Sequence, residues 1–517
     1  MTLLDSKGAV RAVTALITAA VAAAGLVACT EPTPGGTGSS GLTVAIPTVA
    51  PPYTGSSQAI DAMRVTSNLF DPLIFRDPKT GKLTPGLATK WTKVSSTVTD
   101  ITIRGGVKFH DGSLMTAEDV AFTLSAQRLW GPDAIEPSTL ASTFSAVDVK
   151  NPTTVQITTK QPDPAVLSRL ASQIGFVVPK AYLLKVGVQQ FGVQPIGTGP
   201  YKVKSITPGQ EAVLEVNQDY WGPKPTHESI TFKAVNDVTA RISGLAAGQY
   251  NIATAVPPDQ SKQVEGNGQK IVSTQVNNML QLAFMTNQKD KPTSDPRVRQ
   301  AMQFAIDREG LATSLWAGQV EVHDGFNVPV FDGFYNGNVP VVQQDTEKAK
   351  SLLAEAGYRG EPIILQYIGG YYPNLDQALQ AMLPMWKEAG LQVTLEPVAN
   401  FTLLDYTKLQ VYATSSNFQL GDPISPIYTD WLSPQATFVK QGRYTPSPAM
   451  AAAGGTLGTS TDATARKKAF DTITKLWTTE VPSISLWQPV EIVGVGSGTS
   501  FTPDPRYWMR FAPVPGS

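Results

Sequence analysis

One cysteine in 517 residues is the strongest constraint on how this chain folds. Cys29 has no second thiol to join, so no internal disulfide braces the fold and a hydrophobic core must hold it alone. The cysteine also sits at a marked place. Lys7 and Arg11 are the only basic residues ahead of a run from Ala12 to Ala28 that carries no charge. A basic start, an apolar stretch and small residues before a cut describe a secretory signal, expected here over residues 1–28. The run is shorter than the roughly 20 apolar residues of a membrane span, and alanine and threonine dilute it.

Leu26-Val27-Ala28-Cys29 resembles the lipobox of bacterial lipoproteins, in which the thiol is acylated and the chain is cut just before it. Free cysteines are also commonly buried, but this one stands where acylation needs it. Acyl chains on Cys29 would hold the mature protein at the membrane. Residues 29–41 are rich in Pro, Gly, Ser and Thr, cannot bury enough to fold, and read as a flexible tether. Gly36-Thr-Gly-Ser-Ser-Gly41 formally matches a dinucleotide fingerprint, yet the tether precedes it and a strand from Leu42 to Ile46 follows. The strand–turn–helix setting is missing, and the match is accidental. Lys plus Arg number 41 against 42 Asp plus Glu, so no net charge draws the chain to nucleic acid.

Beyond the tether, helix and strand signals alternate. Thr116-Ala-Glu-Asp119 is a near capping box with Val120 and Leu124 four apart behind it. Asp163-Pro164 and Asp295-Pro296 each set a capping residue before a proline at the first helical position. Val298, Met302 and Ile306 share a face behind the second of these. Asp345 opens a helix whose Ala349, Leu352, Leu353 and Ala356 form a stripe and which Gly357 closes; Gln377 to Gly390 repeats the scheme. Leu391, Val393 and Leu395 alternate as a strand, as do Ile101–Ile103 and Thr154–Thr159. Interleaved helices and short strands predict α/β layers, and the length predicts more than one lobe. No repeat of 20–50 residues marks a solenoid or propeller.

Ile103-Arg-Gly-Gly-Val-Lys-Phe-His-Asp-Gly112, followed by Thr116-Ala-Glu-Asp-Val120, resembles the signature of the family 5 extracellular solute-binding proteins, the dipeptide, oligopeptide and nickel binders of ABC importers. The resemblance recurs in the family's order. It continues through Pro195-Ile-Gly-Thr-Gly-Pro-Tyr201, Asn217-Gln-Asp-Tyr-Trp-Gly222 and Thr239-Ala-Arg-Ile-Ser-Gly-Leu-Ala-Ala-Gly248. Asp295-Pro-Arg-Val-Arg-Gln-Ala301 with Ala305-Ile-Asp-Arg308, and Lys348-Ala-Lys-Ser-Leu-Leu-Ala-Glu-Ala-Gly-Tyr358, complete it. It implies a two-lobed, periplasmic-binding-protein-like α/β fold of type II with an extra inserted domain. Lobe 1 is then 42–285 plus 488–517, with the inserted subdomain at about 66–190, and lobe 2 is 286–487. The crossings between lobes are expected near Met285–Gln288 and Trp487–Pro489. Ligand would bind between the lobes and favour the closed state, because only there do both lobes touch it.

An enzyme reading finds little to stand on. His110, His227 and His323 are the only histidines and lie far apart in sequence. Phe109-His110-Asp111-Gly112 holds a His-Asp pair, but Asp-Gly is first a turn signal. No Gly-x-Ser-x-Gly elbow, His-Glu-x-x-His or phosphate-binding loop occurs, and neither cofactor nor metal is expected. Peptide-binding members of the family carry an aspartate for the ligand's α-ammonium shortly before an Asp-Pro pair. With Asp422-Pro423 as that pair, the position falls on Gln419, a neutral amide. Either Asp422 takes the role from a shifted loop or the ligand has no free amine. Tyr53, Phe418 and Trp487 are the aromatic candidates for an apolar pocket, with Tyr428 and Trp431 behind them; Trp221 reads as structural. The implied partners are a peptide or small-molecule ligand, the permease and ATPase subunits of an ABC importer, and the membrane through the anchor, with the protein itself a monomer. A non-peptide cargo (nickel chelate, haem, oligosaccharide) and a cell-envelope sensor or interaction protein are the alternatives.

Overall fold

The computed structural model describes residues 41–51, 60–78, 80–125, 143–418 and 420–515. Two large mixed sheets organise them. The first has seven strands in the order Lys270–Gln275, Val490–Val495, Ile252–Ala253, Leu42–Ile46, Ser229–Ala234, Glu211–Val216 and Tyr201–Thr207. Leu42–Ile46 runs parallel to both its neighbours, and the rest of the sheet pairs antiparallel. The second has five strands in the order Val393–Val398, Ile363–Ile368, Val411–Asn417, Asn278–Phe284 and Ser483–Trp487. Here the first three are mutually parallel and the last two antiparallel. Parallel strands need helical crossovers, which is why this half carries the amphipathic helices the sequence predicts.

Those helices form as their caps dictate. Asp295 caps Pro296–Phe304 through the amide of Arg297, and Val298 and Met302 enter the core while Ile306 lies just past the helix end. Asp345 caps Thr346–Ala356 at Lys348, and Gly357 closes it at φ 70°, where a side chain would be strained. Leu375–Glu388 buries Leu379, Met382 and Trp386 against the second sheet. Thr116 and Asp119 form a full capping box on Ala117–Leu124. Asp163 does more than cap: its Oδ1 accepts from Ala165 N at 2.9 Å and its Oδ2 from the buried Arg169 Nε at 2.6 Å, while the regular helix begins at Val166.

Between Leu42–Ile46 and Tyr201–Thr207 the chain builds a separate four-stranded antiparallel sheet, ordered Ala88–Lys93, Val98–Ile103, Thr154–Thr159 and Phe144–Asn151. Val98–Ile103 and Thr154–Thr159 alternate strictly between half-buried and buried residues, the pattern of a sheet with one face on a core. A short hairpin, Ile74–Arg76 with Leu83–Pro85, leads into it. The helix Lys180–Val193 turns Leu183 and Phe191 into the core of the first sheet instead.

The chain passes between the large sheets twice. Trp487 ends a strand of the second sheet and Val490 begins one of the first. The other passage lies at Val276–Asn277, earlier than the expected Met285–Gln288, because Asn278–Phe284 is a nearly fully buried strand paired on both sides within the second sheet. The two passages run side by side: Val276 N donates to Pro489 O at 2.9 Å. The C-terminal tail returns past them to the helix Ile60–Leu69 and the turn behind it. Asn277 N donates to Pro505 O, Met509 N to Ser67 Oγ, and Arg510 reaches the buried Asp71 at 2.9 Å. Among the described residues no helix is long and apolar enough to cross a membrane.

Candidate functional site

Ligands of open α/β sheets bind beyond the carboxyl ends of parallel strands, where loops leave backbone groups and side chains free to converge. In the first sheet the candidate that follows Leu42–Ile46 in sequence, Tyr53, lies outside the described residues. In the second sheet Ile363–Ile368, Val393–Val398 and Val411–Asn417 share one direction, and the loops after them meet at one end. Gln419 belongs to the last of these loops and, like Cys29, is outside the described residues.

The rest of that last loop is closely packed. Phe418 is fully buried, edge-on to Phe331 at 5.4 Å, and its amide donates to Asn277 O. Asp422 accepts from both terminal nitrogens of Arg466, at 2.6 and 3.0 Å, and from the Ile424 amide. A bidentate, charge-assisted pair of this kind holds a loop and leaves little carboxylate for a ligand. Leu420 and Ile424 are buried among Leu73, Ile74 and Leu170, the core of the four-stranded subdomain. Arg76, on the subdomain's hairpin, donates to Leu420 O, Ser168 Oγ and Gly81 O. Burial lowers the pKa of Arg76 to about 10, with Arg506 acting in the same sense, so it stays charged at neutral pH. Gly421 at φ 59° allows the guanidinium this close, since a Cβ would meet its Nη1 at 3.0 Å.

Trp487 is likewise core, 6.3 Å from Trp316 and closed to solvent. Trp431 stacks on Phe438 at 3.9 Å, Tyr428 OH meets Gln161 Nε2, and Trp221 Nε1 donates to Asp71. The structure thus brings Phe418 and Asp422 onto one loop and sets Trp487 on the far passage, and neither candidate ring borders the described cavity. Apolar burial claims these rings, as it does most large aromatics.

That cavity, of about 400 Å³, opens where the two passages, the hairpin tip, the C-terminal tail and the second half meet. Gln275, Asn277 and Gln488 contribute from the passages, Glu321 and Asp332 from the second half, and Arg76 and Arg506 from the first. Glu321 Oε2 lies 3.1 Å from His323 Nε2, and that hydrogen bond lowers the carboxyl pKa. A second feature stands at the strand ends. Tyr371 and Phe401 follow Ile363–Ile368 and Val393–Val398, are 57% and 41% exposed, and lie edge-on at 5.2 Å. Beside them Tyr372 donates to Ser415 Oγ. Two exposed aromatic rings in contact form a surface suited to an apolar or planar partner. Neither feature is legible in the sequence, where glutamines at strand ends and a Tyr-Tyr pair in a loop carry no motif.

His110 has no catalytic geometry. Its Nδ1 accepts from Gly197 N and its Nε2 lies 3.2 Å from Gly199 O, while desolvation lowers its pKa to about 4. Both nitrogens serve the turn. Among the described residues no group of three or more His, Cys, Asp and Glu side chains is placed to hold a metal ion.

Known proteins share both the sequence pattern and this architecture. The model of the bacterial extracellular solute-binding proteins, family 5 middle, matches residues 82–438. The oligopeptide-binding protein AppA of Bacillus subtilis is 30% identical over 267 residues, covering 50% of this chain and 48% of that protein. The chain therefore matches about half the length of that relative. The crystal structure of a putative peptide-binding protein AppA from Clostridium difficile superposes with a TM-score of 0.80 at 19% identity, covering 91% of this chain and 99% of the other. NikA from Staphylococcus aureus in complex with Ni(L-His)2 gives 0.71 at 21% identity, covering 91% and 98%. At these identities the structures speak for the fold. The two-lobed fold is that of the periplasmic binding proteins of family 5, with three separate sheets of four strands or more among the described residues.

Proposed function

The chain belongs to the bacterial extracellular solute-binding proteins of family 5, and from that membership we propose that it captures a small solute and hands it to an ABC importer. Peptides or similar small organic molecules are the proposed cargo, held between the two halves and released by their opening. The observation that carries this reading is the family match over residues 82–438. It is supported by strand ends of the second sheet that gather exposed aromatics, Tyr371 and Phe401, and by a separate cavity at the passages. The relatives matched are binding proteins and not enzymes. The sequence of residues 26–29 supports anchoring through acylated Cys29, with a cut after Ala28. Residues 29–41 then act as a tether, lobe 1 comprises the first sheet with its subdomain and tail, and lobe 2 is built on the second sheet.

One observation favours a non-peptide cargo. With Asp422-Pro423 taken as the family's Asp-Pro pair, the resemblance puts the ammonium-pairing position on Gln419, and Asp422 is already bound to Arg466. Mass spectrometry of what the full chain retains through purification, released by denaturation, separates the readings. A ladder of short peptides supports the first; one non-peptide species or a metal chelate supports the second. An empty protein that also ignores added peptides and chelates counts against both.

A further inference from the structure

Gln275, Asn277 and Gln488 sit within a few residues of one another across the paired passages. Gln275 is in register with Val490, and Gln488 Nε2 donates to Val276 O at 2.9 Å. The Gln275 Nε2 likewise donates to a main-chain carbonyl, that of Gln319, at 2.8 Å. These bonds fix which end of the Gln275 and Gln488 amides is nitrogen, and so where those two oxygens lie. All three amide oxygens, Gln275 Oε1, Asn277 Oδ1 and Gln488 Oε1, are buried and have no hydrogen-bond partner. Asn277 and Gln488 are only 6% and 3% exposed, and all three residues line the same cavity of about 400 Å³. Buried acceptors are almost always satisfied, so three orphans around one cavity ask for a donor.

The charge around them says which kind. The lining holds four carboxylates (Asp77, Glu321, Asp332, Asp504) against two guanidiniums (Arg76, Arg506). Arg506 is spent on Asp504 in a bidentate pair, and Arg76 on Leu420 O, Ser168 Oγ and Gly81 O. Glu321 joins the passage directly, its carbonyl accepting from Gln488 N at 2.7 Å. Acceptors outnumber free donors, and the formal balance is negative. A compact cation with several N–H bonds satisfies both conditions at once.

We propose that the cavity between the passages binds the protonated amine of the solute, with the oxygens of Gln275, Asn277 and Gln488 as its acceptors and Glu321 as the nearby countercharge. This deepens the solute-binding reading and rests on it. The amine-recognising role that Gln419 lacks is moved to the hinge, where the solute would touch both passages and so sense their relative position.

The test is calorimetric titration of the full chain, solubilised in detergent and stripped of cargo by unfolding and refolding. The probes are butane-1,4-diamine and butane-1,4-diol, alike in length and different in charge. The diamine is expected to bind at least tenfold more tightly than the diol. Gln275→Leu should weaken it about tenfold, and Asn277→Asp, which keeps the shape and adds a charge, should tighten it by a similar factor. Equal binding of the two probes, binding of neither, or an Asn277→Asp chain indistinguishable from the parent would overturn the proposal. The two readings fail separately. Retained peptides together with a silent diamine titration sink this proposal alone. A diamine response in a chain that neither retains nor binds added peptides or chelates sinks the cargo reading and keeps the cation site.

Discussion

The loop that follows Val411–Asn417 and the pair of passages at Val276–Asn277 and Gln488–Pro489 both join the two halves of the molecule, yet they are finished differently. In the loop, Asp422 meets Arg466, Leu420 and Ile424 enter the subdomain core, and Arg76 ties the hairpin to Leu420 O. In the passages, three amide oxygens are unpartnered, on residues that line a cavity. The first junction is complete without a solute; the second has acceptors to spare. A protein that must hold its halves together and still respond to a ligand needs both kinds. Saturated contacts give cohesion, and unsaturated ones give the ligand something to contribute.

The largest effect should come from breaking the saturated side. Asp422→Ala leaves the Arg466 guanidinium, 8% exposed, without its carboxylate, and should cost roughly 3–5 kcal/mol in urea unfolding. A loss below about 1 kcal/mol would mean that the pair is dispensable and that Asp422 is available to a ligand after all. Leu420→Ala should cost roughly 3 kcal/mol, because it opens a cavity in the subdomain core from a residue of the other half. An unchanged unfolding midpoint would show that the halves part there readily.

His110 extends the saturated side into the subdomain's turn. Its folded pKa, about 4, lies below the ordinary 6.5, so the unfolded chain binds the extra proton. Its contribution is present above pH 6.5 and is lost as pH falls toward 4, by roughly 2 kcal/mol after allowance for partial exposure. His110→Asn should flatten stability between pH 6.5 and 5, above most carboxylate titrations; an identical slope would remove the histidine from the account. The smallest effect belongs to the unsaturated side. Gln275→Leu should change stability by less than about 1 kcal/mol, since an unpartnered oxygen leaves together with one hydrogen bond. A larger loss would mean that the amide is structural and not held ready for a solute.

How far the sequence reached follows the same division. Asp295, Asp345, Thr116 and Gly357 announce helix ends because caps act over three or four residues, and all four do what their spacing predicts. Asp163 also accepts from an amide two residues on, and what its spacing does not announce is the buried ion pair of its second oxygen with Arg169. The first passage between sheets was expected beyond Met285, since the run Asn278–Phe284 reads as a strand of either sheet. Only its pairing with Val411–Asn417 and Ser483–Trp487 decides. Phe418 and Trp487 were expected to line a pocket on the strength of being aromatic, and long-range packing puts both in the core. The passage amides were missed altogether. An unpartnered oxygen is a property of what surrounds it, and no local pattern marks it.

The most direct test of solute capture is thermal melting of the cargo-free full chain against fractions of a di- to pentapeptide library and against nickel–histidine. At least one is expected to raise the melting temperature, by the equivalent of about 2.7 kcal/mol when present at a hundred times its dissociation constant. A chain that folds, melts cooperatively and is moved by none of them at millimolar concentration would contradict it.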